Sequence, residues 1–387
     1  MTRDTDGIDL ATFFQPSYAV SRERLLEAAH RLAPRHGALI DSRSIDARGP
    51  SGETLALDFV VFGARAPRRA LVLSSGTHGV EGYTGSAIQH YVLERVLPKL
   101  RLADDTAVVI QHANNPYGFA WHRRVNESNV DFNRNFLDAF DAGLCDPDYE
   151  LLYDELNPPD LDPAREAARW RRIDAYLAQH GERRFRQAAV GGQYKFPAGM
   201  QYGGARLEQG AAHLLELVRT HLSRADTVLW LDFHTGLGES GACELVTGAP
   251  ADSACYAFSR EVWTGWVKSA TSGESVSTPL NGLLDRGLEA SMPTGCRFAF
   301  GYPEFGTYEP MRVVRAMRSD NWLHMHGDPG ARSDPTTRAI KDEVLEAFRP
   351  ADAGWQRTIV RTGATLVELA LARLPGAFVR ESGPPGA

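Results

Sequence analysis

The chain has 387 residues, of which 24% are charged and 43% hydrophobic, and its formal net charge is −7. This composition is ordinary for a globular protein, and the acidic balance argues against a nucleic-acid partner, whose phosphates require a basic face. No apolar run reaches the length of a membrane span, and the polar first seven residues lack the apolar core of a signal peptide. We therefore expect a cytoplasmic protein without membrane association, and an oligomer remains possible.

The four cysteines, Cys145, Cys243, Cys255 and Cys296, are scattered along the chain without a Cys-x-x-Cys pair. This spacing indicates free thiols and matches neither a disulfide framework nor a thiolate zinc site. A catalytic metal in this chain would therefore need histidine and carboxylate ligands.

Hydrophobic periodicity predicts alternating helices and strands along the chain. In chain order, we predict a helix at 21–33 with Ser21 as its N-cap, strands at 53–62 and 70–75, a helix at 84–98, a strand at 106–111, a helix at 207–222, a strand at 227–233, a helix at 252–268, a strand at 295–300, and helices at 309–326 and 335–348. The continuously apolar strands are typical of the inside of a sheet, and the order strand, helix, strand predicts an α/β fold.

One catalytic domain is predicted at residues 46–350, because the segments that carry chemistry span most of that range. Residues 1–45 are predicted to form a helical and strand lead-in, and residues 351–387 a C-terminal extension that ends in a loose tail of about a dozen residues. A highly charged stretch at about 145–190, broken by two adjacent prolines, is predicted to be a helical insertion on the surface.

A histidine and a glutamate follow the apolar strand at 70–75. They are His78 and Glu81, and they stand in a Gly-rich turn. A neutral imidazole and a carboxylate on a rigid backbone are ligands that zinc prefers. The His-x-x-Glu spacing is common by itself, so the hypothesis of a metal site depends on three further segments.

The second segment, residues 121–136, is dense in Asn, Asp and Arg and predicts a loop beside the sheet. It contains Arg123, Arg124 and the run Asp131-x-Asn133-Arg134-Asn-Phe. Arginines in a cleft can bind a carboxylate through two hydrogen bonds or stabilise an oxyanion, although a single arginine more often pairs with a surface carboxylate. The unusual order of this run favours a functional loop.

The third and fourth segments end two further strands. His234 follows the strand at 227–233, and Asp232, two residues earlier, could orient that imidazole or could be a buried group tied to the backbone. Glu304 has apolar neighbours at the end of a late strand. Such a carboxylate should have a raised pKa, which suits a general base, although a structural pair with an arginine is the alternative.

Together, these four segments resemble the zinc carboxypeptidase superfamily, in particular the bacterial branch related to aspartoacylase and succinylglutamate desuccinylase. The resemblance covers about residues 50–325. It implies a three-layer αβα fold with a mixed, largely parallel central sheet and one Zn²⁺ ion per chain.

The resemblance also implies roles for individual residues. These are zinc ligation by His78, Glu81 and His234, catalysis by Glu304, polarisation of the scissile carbonyl by Arg124 in preference to Arg123, substrate binding by Arg123, Asn133 and Arg134, and a tyrosine near the substrate that is Tyr308 or Tyr302.

The implied activity is cleavage of an amide bond by metal-activated water, in a small molecule or short peptide with a free carboxylate. A peptidase and an N-acyl amino acid deacylase both fit, and a non-catalytic binding protein of the same fold is a further alternative. Manganese or iron could replace zinc at such ligands. A serine hydrolase using Ser74 or Ser75 is disfavoured, because neither residue stands in a Gly-x-Ser-x-Gly turn.

Overall fold

The computed structural model describes residues 8–270, 275, 280–374 and 378–380, which form a central sheet between two layers of helices. The strands are β1 (Leu39–Arg48), β2 (Thr54–Gly63), β3 (Arg69–Ser75), β4 (Leu100–Leu102), β5 (Thr106–His112), β6 (Thr227–Thr235), β7 (Cys243–Thr247), β8 (Val267–Ser269), β9 (Arg297–Phe305) and β10 (Phe378–Arg380). The helices are α1 (Tyr18–His36), α2 (Gly82–Tyr91), α3 (Pro116–Ala120), α4 (Pro147–Leu151), α5 (Tyr153–Leu156), α6 (Pro163–Val190), α7 (Gln209–His221), α8 (Ala254–Val262), α9 (Leu284–Ser291), α10 (Pro310–His326), α11 (Pro335–Phe348) and α12 (Ala353–Ala372).

Within the described residues, eight strands form one sheet in the order β1-β2-β5-β3-β6-β9-β7-β8. Strands β5, β3, β6 and β9 run parallel to one another in the centre. Strands β1, β2 and β7 join through antiparallel pairings, and β8 is parallel to β7. The predicted three-layer αβα fold with a mixed, largely parallel sheet is confirmed.

The central strands bury both faces, which explains their continuously apolar sequences. In β3, Leu71 and Leu73 pack under α1, α2, α8 and α12, whereas Ala70 and Val72 face the layer that contains α7 and α9. All four side chains are fully buried. Burial of each leucine contributes about 1.5–3 kcal/mol to the free energy of folding. The sheet is therefore a rigid support for residues at the ends of its strands.

Helix α1 begins earlier than predicted. The side chain of Ser17 accepts a hydrogen bond from the Val20 N–H at 3.2 Å, so Ser17 is the N-cap and the prediction of Ser21 was wrong. The Ser21 hydroxyl lies one turn inside the helix, where it is buried within hydrogen-bonding distance of His90. A small hydroxyl residue one turn inside the helix thus imitates the pattern of a cap.

Another difference concerns the helix predicted at 252–268. Helix α8 ends at Val262, and the chain turns through Gly265, whose φ of 83° favours glycine, before β8 begins at Val267. Strand β8 lies at the edge of the sheet and pairs only with β7 among the described strands. So short an edge strand has too few residues for its periodicity to be recognised.

Two elements lie at or across the predicted domain boundaries. Strand β1 crosses the boundary at residue 46, and α12, which follows residue 350, packs on α2 with Gly363 against Ile88. We propose that α1 to α12 form one folded unit. The predicted tail lies outside the described residues except for 378–380, which pair with β4.

The charged stretch at 145–190 is helical, as predicted, and consists of α4, α5 and α6. Side chains from these helices form most of a separate hydrophobic cluster, which includes Tyr149, Leu156 and Ile173 and is completed by Met200. No described helix combines the length and the apolar character that crossing a membrane requires.

Candidate metal centre

The predicted site residues stand where three neighbouring parallel strands end. His234 of β6 lies beside Glu304 of β9 in the sheet register, and Ser75 at the end of β3 lies beside Phe233 of β6. Because parallel strands end at the same edge of the sheet, the turn after β3 carries His78 and Glu81 to the same place.

Three side chains converge there. His78 Nδ1 lies 3.0 Å from Glu81 Oε1, and His234 Nδ1 lies 3.2 Å from Glu81 Oε2. The two Nδ1 atoms are 3.1 Å apart, and all three side chains are buried. Two imidazole nitrogens and a carboxylate therefore meet at one point.

This donor set fits a zinc ion. With zinc–nitrogen bonds of about 2.0–2.1 Å, two ligand atoms of a tetrahedral site lie roughly 3.3 Å apart, close to the separations between these three donors. Among the described residues, the side chains of His78, Glu81 and His234 form a group that could hold a metal ion. Three protein ligands are typical of catalytic zinc sites, which keep one position for water or substrate.

The outward-facing nitrogens of both histidines contact buried carboxylates. His234 Nε2 lies 2.6 Å from Asp232 Oδ2, and His78 Nε2 lies 3.2 Å from Asp131 Oδ1. Because an ionised carboxylate only accepts hydrogen bonds, His234 Nε2 carries a proton. His78 Nε2 also lies 2.7 Å from Arg124 Nη2, which only donates. In both histidines Nδ1 is the nitrogen that faces Glu81. Both rings are thus oriented for metal binding.

Asp232 is itself held by hydroxyl groups. Its Oδ1 accepts hydrogen bonds from Ser74 Oγ at 2.5 Å and from Thr77 Oγ1 at 3.0 Å. Trp230 Nε1 donates to the same Ser74 hydroxyl at 2.6 Å. Ser74 is therefore engaged in orienting Asp232, which agrees with the prediction that it is not a nucleophile.

We expect Asp232→Asn to weaken zinc binding by about 10–100-fold, because a carboxylate that accepts a hydrogen bond from a ligand histidine orients the ring and increases its basicity. The measurement is zinc affinity by competition with a coloured chelator. Asp226→Asn is the matched control, since Asp226 pairs with Arg68 at the surface with half of its side chain exposed. Unchanged zinc affinity in Asp232→Asn would show that His234 needs no such support.

Glu304 lines the same cleft as the three donors. Its Oε1 accepts a hydrogen bond from the Leu237 N–H at 3.1 Å. Loss of hydration in the cleft wall raises the pKa of Glu304, and the nearby Glu81 carboxylate raises it further. A carboxylate with a raised pKa beside a metal centre is suited to accepting and returning a proton.

The two adjacent arginines point to different places. Arg124 lines the cleft, forms an ion pair with Asp131, and lies with Nε 3.9 Å from Glu81 Oε1. Arg123 is buried away from the cleft, where it pairs with Asp320 at 3.3 Å. The predicted choice of Arg124 fits this geometry. Arg123, which was predicted to contact substrate, does not line the cleft, because Asp320 holds its guanidinium elsewhere.

Asn133 and Arg134 lie together at another wall of the cleft. Arg134 is buried, its two terminal nitrogens donate to the carbonyls of Asn133 and Val190, and its Nε has no hydrogen-bond partner among the described residues. The Asn133 amide oxygen accepts from the Leu284 N–H at 2.8 Å, so its amide nitrogen is the group that can donate to a ligand. Both residues can therefore bind an anion.

Of the two predicted tyrosines, Tyr302 is the one in the cleft. Its hydroxyl lies 3.2 Å from Asn133 Oδ1, and its ring contacts His234. The Tyr308 hydroxyl instead donates to Glu346 of α11, outside the cleft. Tyr308, which was predicted to contact substrate, therefore does not line this cleft.

The empty space of the cleft, including the part that is open to solvent, is about 870 Å³. Its apolar lining residues include Val246, Ala270, Leu280 and Leu283. Three further lining residues were not predicted from the sequence: Arg186, Val190 and Gln201, which come from α6 and the segment after it. Nothing in the local sequence pattern of that insertion shows that it reaches the strand ends.

Comparison with solved structures gives distant similarity. Carboxypeptidase A from Helicoverpa armigera matches 88% of this chain and 77% of its own at 13% identity, with a TM-score of 0.47. An aspartoacylase family protein from Mesorhizobium loti matches 74% of this chain and 66% of its own at 13% identity, with a TM-score of 0.38. The ectoine utilization protein EutE from Ruegeria pomeroyi matches 75% of this chain and 67% of its own at 14% identity, also with a TM-score of 0.38.

Comparison with curated protein sequences gave no match. Comparison with family profiles gave one, whose description reads "Protein of unknown function (DUF2817)" and which matches residues 14–362. Because this match covers most of the 387 residues of the chain, the chain belongs to the DUF2817 family.

Proposed function

We propose that this protein is a zinc-dependent hydrolase that cleaves the amide bond of a small molecule or short peptide with a free carboxylate. The observation that carries the proposal is the meeting of His78, Glu81 and His234 in one cleft with Glu304 and Arg134. These residues come from separate elements of the fold, and together they supply metal ligands, a base and an anion-binding group.

A bound zinc ion would supply a Lewis acid that polarises the scissile carbonyl and makes a water molecule more acidic. Glu304 would accept the proton of the attacking water, and its raised pKa allows it to return that proton to the leaving nitrogen. The hydrogen bond from the Leu237 N–H holds the Glu304 carboxylate in place while it does so.

Arg124 and Arg134 would act on opposite ends of the substrate. The Arg124 guanidinium lies beside Glu81, where it can donate to the oxyanion that forms as water attacks the carbonyl. Arg134 and Asn133 would bind the substrate carboxylate and thereby fix the position of the scissile bond relative to Glu304.

The apolar lining of the cleft indicates which side chain the carboxylate-bearing residue of the substrate would have. Val246 pairs with Tyr302 in the sheet, and Leu283 adjoins Leu284, whose N–H donates to Asn133. Both side chains line the cleft, so a substituent beside the bound carboxylate would meet hydrocarbon. A charged substituent there would lose its hydration without gaining a partner from these side chains. We expect substrates whose carboxylate-bearing residue has an apolar side chain, such as leucine or valine.

The test is metal content by mass spectrometry, paired with a hydrolysis screen of dipeptides with free C-termini and of N-acyl amino acids. About one zinc ion per chain and cleavage that a chelator abolishes would support the proposal, and the preferred panel would distinguish a peptidase from a deacylase. A protein that binds no zinc and cleaves neither panel after zinc is added would instead be a binding protein of this fold.

Replacing Arg134 with alanine should raise KM for substrates with a free carboxylate by about 10- to 150-fold, as expected when a charge-assisted hydrogen bond of about 1.5–3 kcal/mol is lost. The control is the same variant acting on substrates whose carboxylate has been converted to an amide, for which little change is expected. Equal losses on both kinds of substrate would remove the anchoring role of Arg134.

A further inference from the structure

Three non-glycine residues among those described have a left-handed backbone, and all three adjoin the two arginines of the active-site loop. They are His122 (φ 51°), Asn129 (φ 61°) and Gln201 (φ 59°). His122 immediately precedes the arginine pair, and the Asn129 side chain accepts a hydrogen bond from Arg123 Nη2 at 2.6 Å. Left-handed non-glycine residues cost of order 1–3 kcal/mol each and often mark functional sites.

Gln201 connects this loop to the segment that follows the helical insertion. Its side chain is buried and lines the cleft, and its Oε1 accepts a hydrogen bond from Arg124 Nη1 at 2.8 Å. Since a guanidinium only donates, the amide oxygen must face Arg124, which leaves the amide nitrogen toward the sulfur of Met317 at 3.8 Å. The orientation of the amide is thereby determined.

The backbone around Gln201 is fastened to the arginine loop by further hydrogen bonds. The Asn129 side-chain nitrogen donates to the Gly199 carbonyl at 3.0 Å, and the Asp131 N–H donates to the Tyr202 carbonyl at 2.7 Å. The Gln193 N–H donates to the carbonyl of Gln201 itself at 3.0 Å. These contacts hold residue 201 in the left-handed conformation that directs its side chain to Arg124.

We propose that Gln201 is a positioning residue that holds the Arg124 guanidinium toward the metal centre, an inference that rests on the proposed function. Arg124 Nη1 has two acceptors, the Asp131 carboxylate and the Gln201 amide. Asp131 already offsets part of the arginine charge. A neutral amide fixes the guanidinium plane without offsetting the remainder, so the positive charge stays available for a developing oxyanion.

The experiment compares Gln201→Ala with Gln201→Gly. Both remove the amide, but only glycine adopts the left-handed backbone without strain. We expect both to lower kcat by about 10-fold with KM and zinc content unchanged, as for loss of a residue that orients a catalytic group. If Gln201→Gly keeps wild-type kcat, residue 201 matters for its backbone alone and the proposal is overturned.

A double-variant comparison tests whether Gln201 acts through Arg124. In an Arg124→Ala background, Gln201→Ala should cause no further loss of kcat, because the group that it positions is already absent. A further 10-fold loss in that background would overturn the proposal.

A readout apart from activity separates this inference from the proposed function. Binding of a phosphinic pseudodipeptide that ends in leucine should weaken about 10-fold in zinc-loaded Gln201→Ala, measured by calorimetry, because its tetrahedral oxyanion would contact Arg124. If the wild-type protein cleaves no substrate, the proposed function fails. Crystal structures of the wild-type protein and of Gln201→Ala then test the positioning role by the place of the Arg124 side chain. An Arg124 side chain that stays in place in Gln201→Ala would then overturn it.

Discussion

Replacing Glu304 with glutamine should lower kcat by about 10²–10⁴-fold while zinc stays bound, because the variant lacks the base that takes the proton from water. The amide is nearly the same size as the carboxylate, and its oxygen can still accept the hydrogen bond from the Leu237 N–H. The structure of the cleft should therefore be preserved. The measurements are kcat on the preferred substrate and zinc content by mass spectrometry.

The matched control is Glu261→Gln, which alters an exposed carboxylate that pairs with Arg297 at 3.2 Å. This variant should keep wild-type kcat, since Glu261 lies on α8 outside the cleft. Near-normal turnover by Glu304→Gln would show that another group is the base and that the role of Glu304 is wrong.

The raised pKa of Glu304 also has a consequence for stability. A carboxyl whose pKa is higher in the folded than in the unfolded protein binds more protons when folded, so the free energy of unfolding falls as pH rises between the two values. Glutamine resembles the protonated form and removes this loss. Metal-free Glu304→Gln should therefore melt above metal-free wild type at pH 8, and the difference should vanish as pH falls below about 4. If metal-free variant and metal-free wild type melt at the same temperature at pH 8 as well as below pH 4, the raised pKa is contradicted.

Loss of a metal ligand should produce the second large effect. His78→Ala removes one of the three converging donors, and we expect it to bind no zinc at micromolar concentrations and to lose chelator-sensitive activity. Zinc at 100 times its Kd should stabilise the wild-type protein by about 2.7 kcal/mol, whereas the variant should melt at the same temperature with and without zinc.

The control is His30→Ala, because His30 is an exposed residue of α1. It should retain both zinc binding and the zinc-dependent rise in melting temperature. A His78→Ala protein that keeps the zinc-dependent rise would place the metal elsewhere in the chain.

Zinc affinity should also rise with pH. Burial lowers the pKa of His234, but the Asp232 and Glu81 carboxylates raise it more, to about 10, so the metal-free site holds a proton that zinc must displace. Competition titrations between pH 6 and 8 would measure this dependence, and an affinity that is constant over that interval would contradict it.

Much of the metal centre could be predicted from short stretches of sequence. His78 and Glu81 follow one apolar strand, His234 ends a second and Glu304 lies at the end of a third. Each strand is recognisable by its own composition, and parallel strands that are neighbours in a sheet present their ends together. A local pattern combined with this general rule was therefore sufficient to bring the four residues together.

Other assignments required the folded chain. Arg123 and Arg124 are adjacent and chemically identical, yet only Arg124 faces the cleft, because Asp320 of α10, nearly 200 positions later, holds the other. Tyr302 and Tyr308 are equally plausible in sequence, but the strand ends at Phe305 and only Tyr302 remains beside His234. Each choice depends on a partner that is distant in the chain.

The amino-acid sequence alone was thus enough to specify the fold class and to single out the three candidate metal ligands and the proposed base, since strand composition and residue order are local properties. Only the tertiary structure shows three further features: Gln201 as a partner of Arg124, the Val190 carbonyl that accepts from Arg134, and the apolar lining at Val246 and Leu283. Packing brings these groups together from elements that are far apart in the chain, and such contacts depend on side-chain shape and long-range register, which leave no periodic pattern along the sequence.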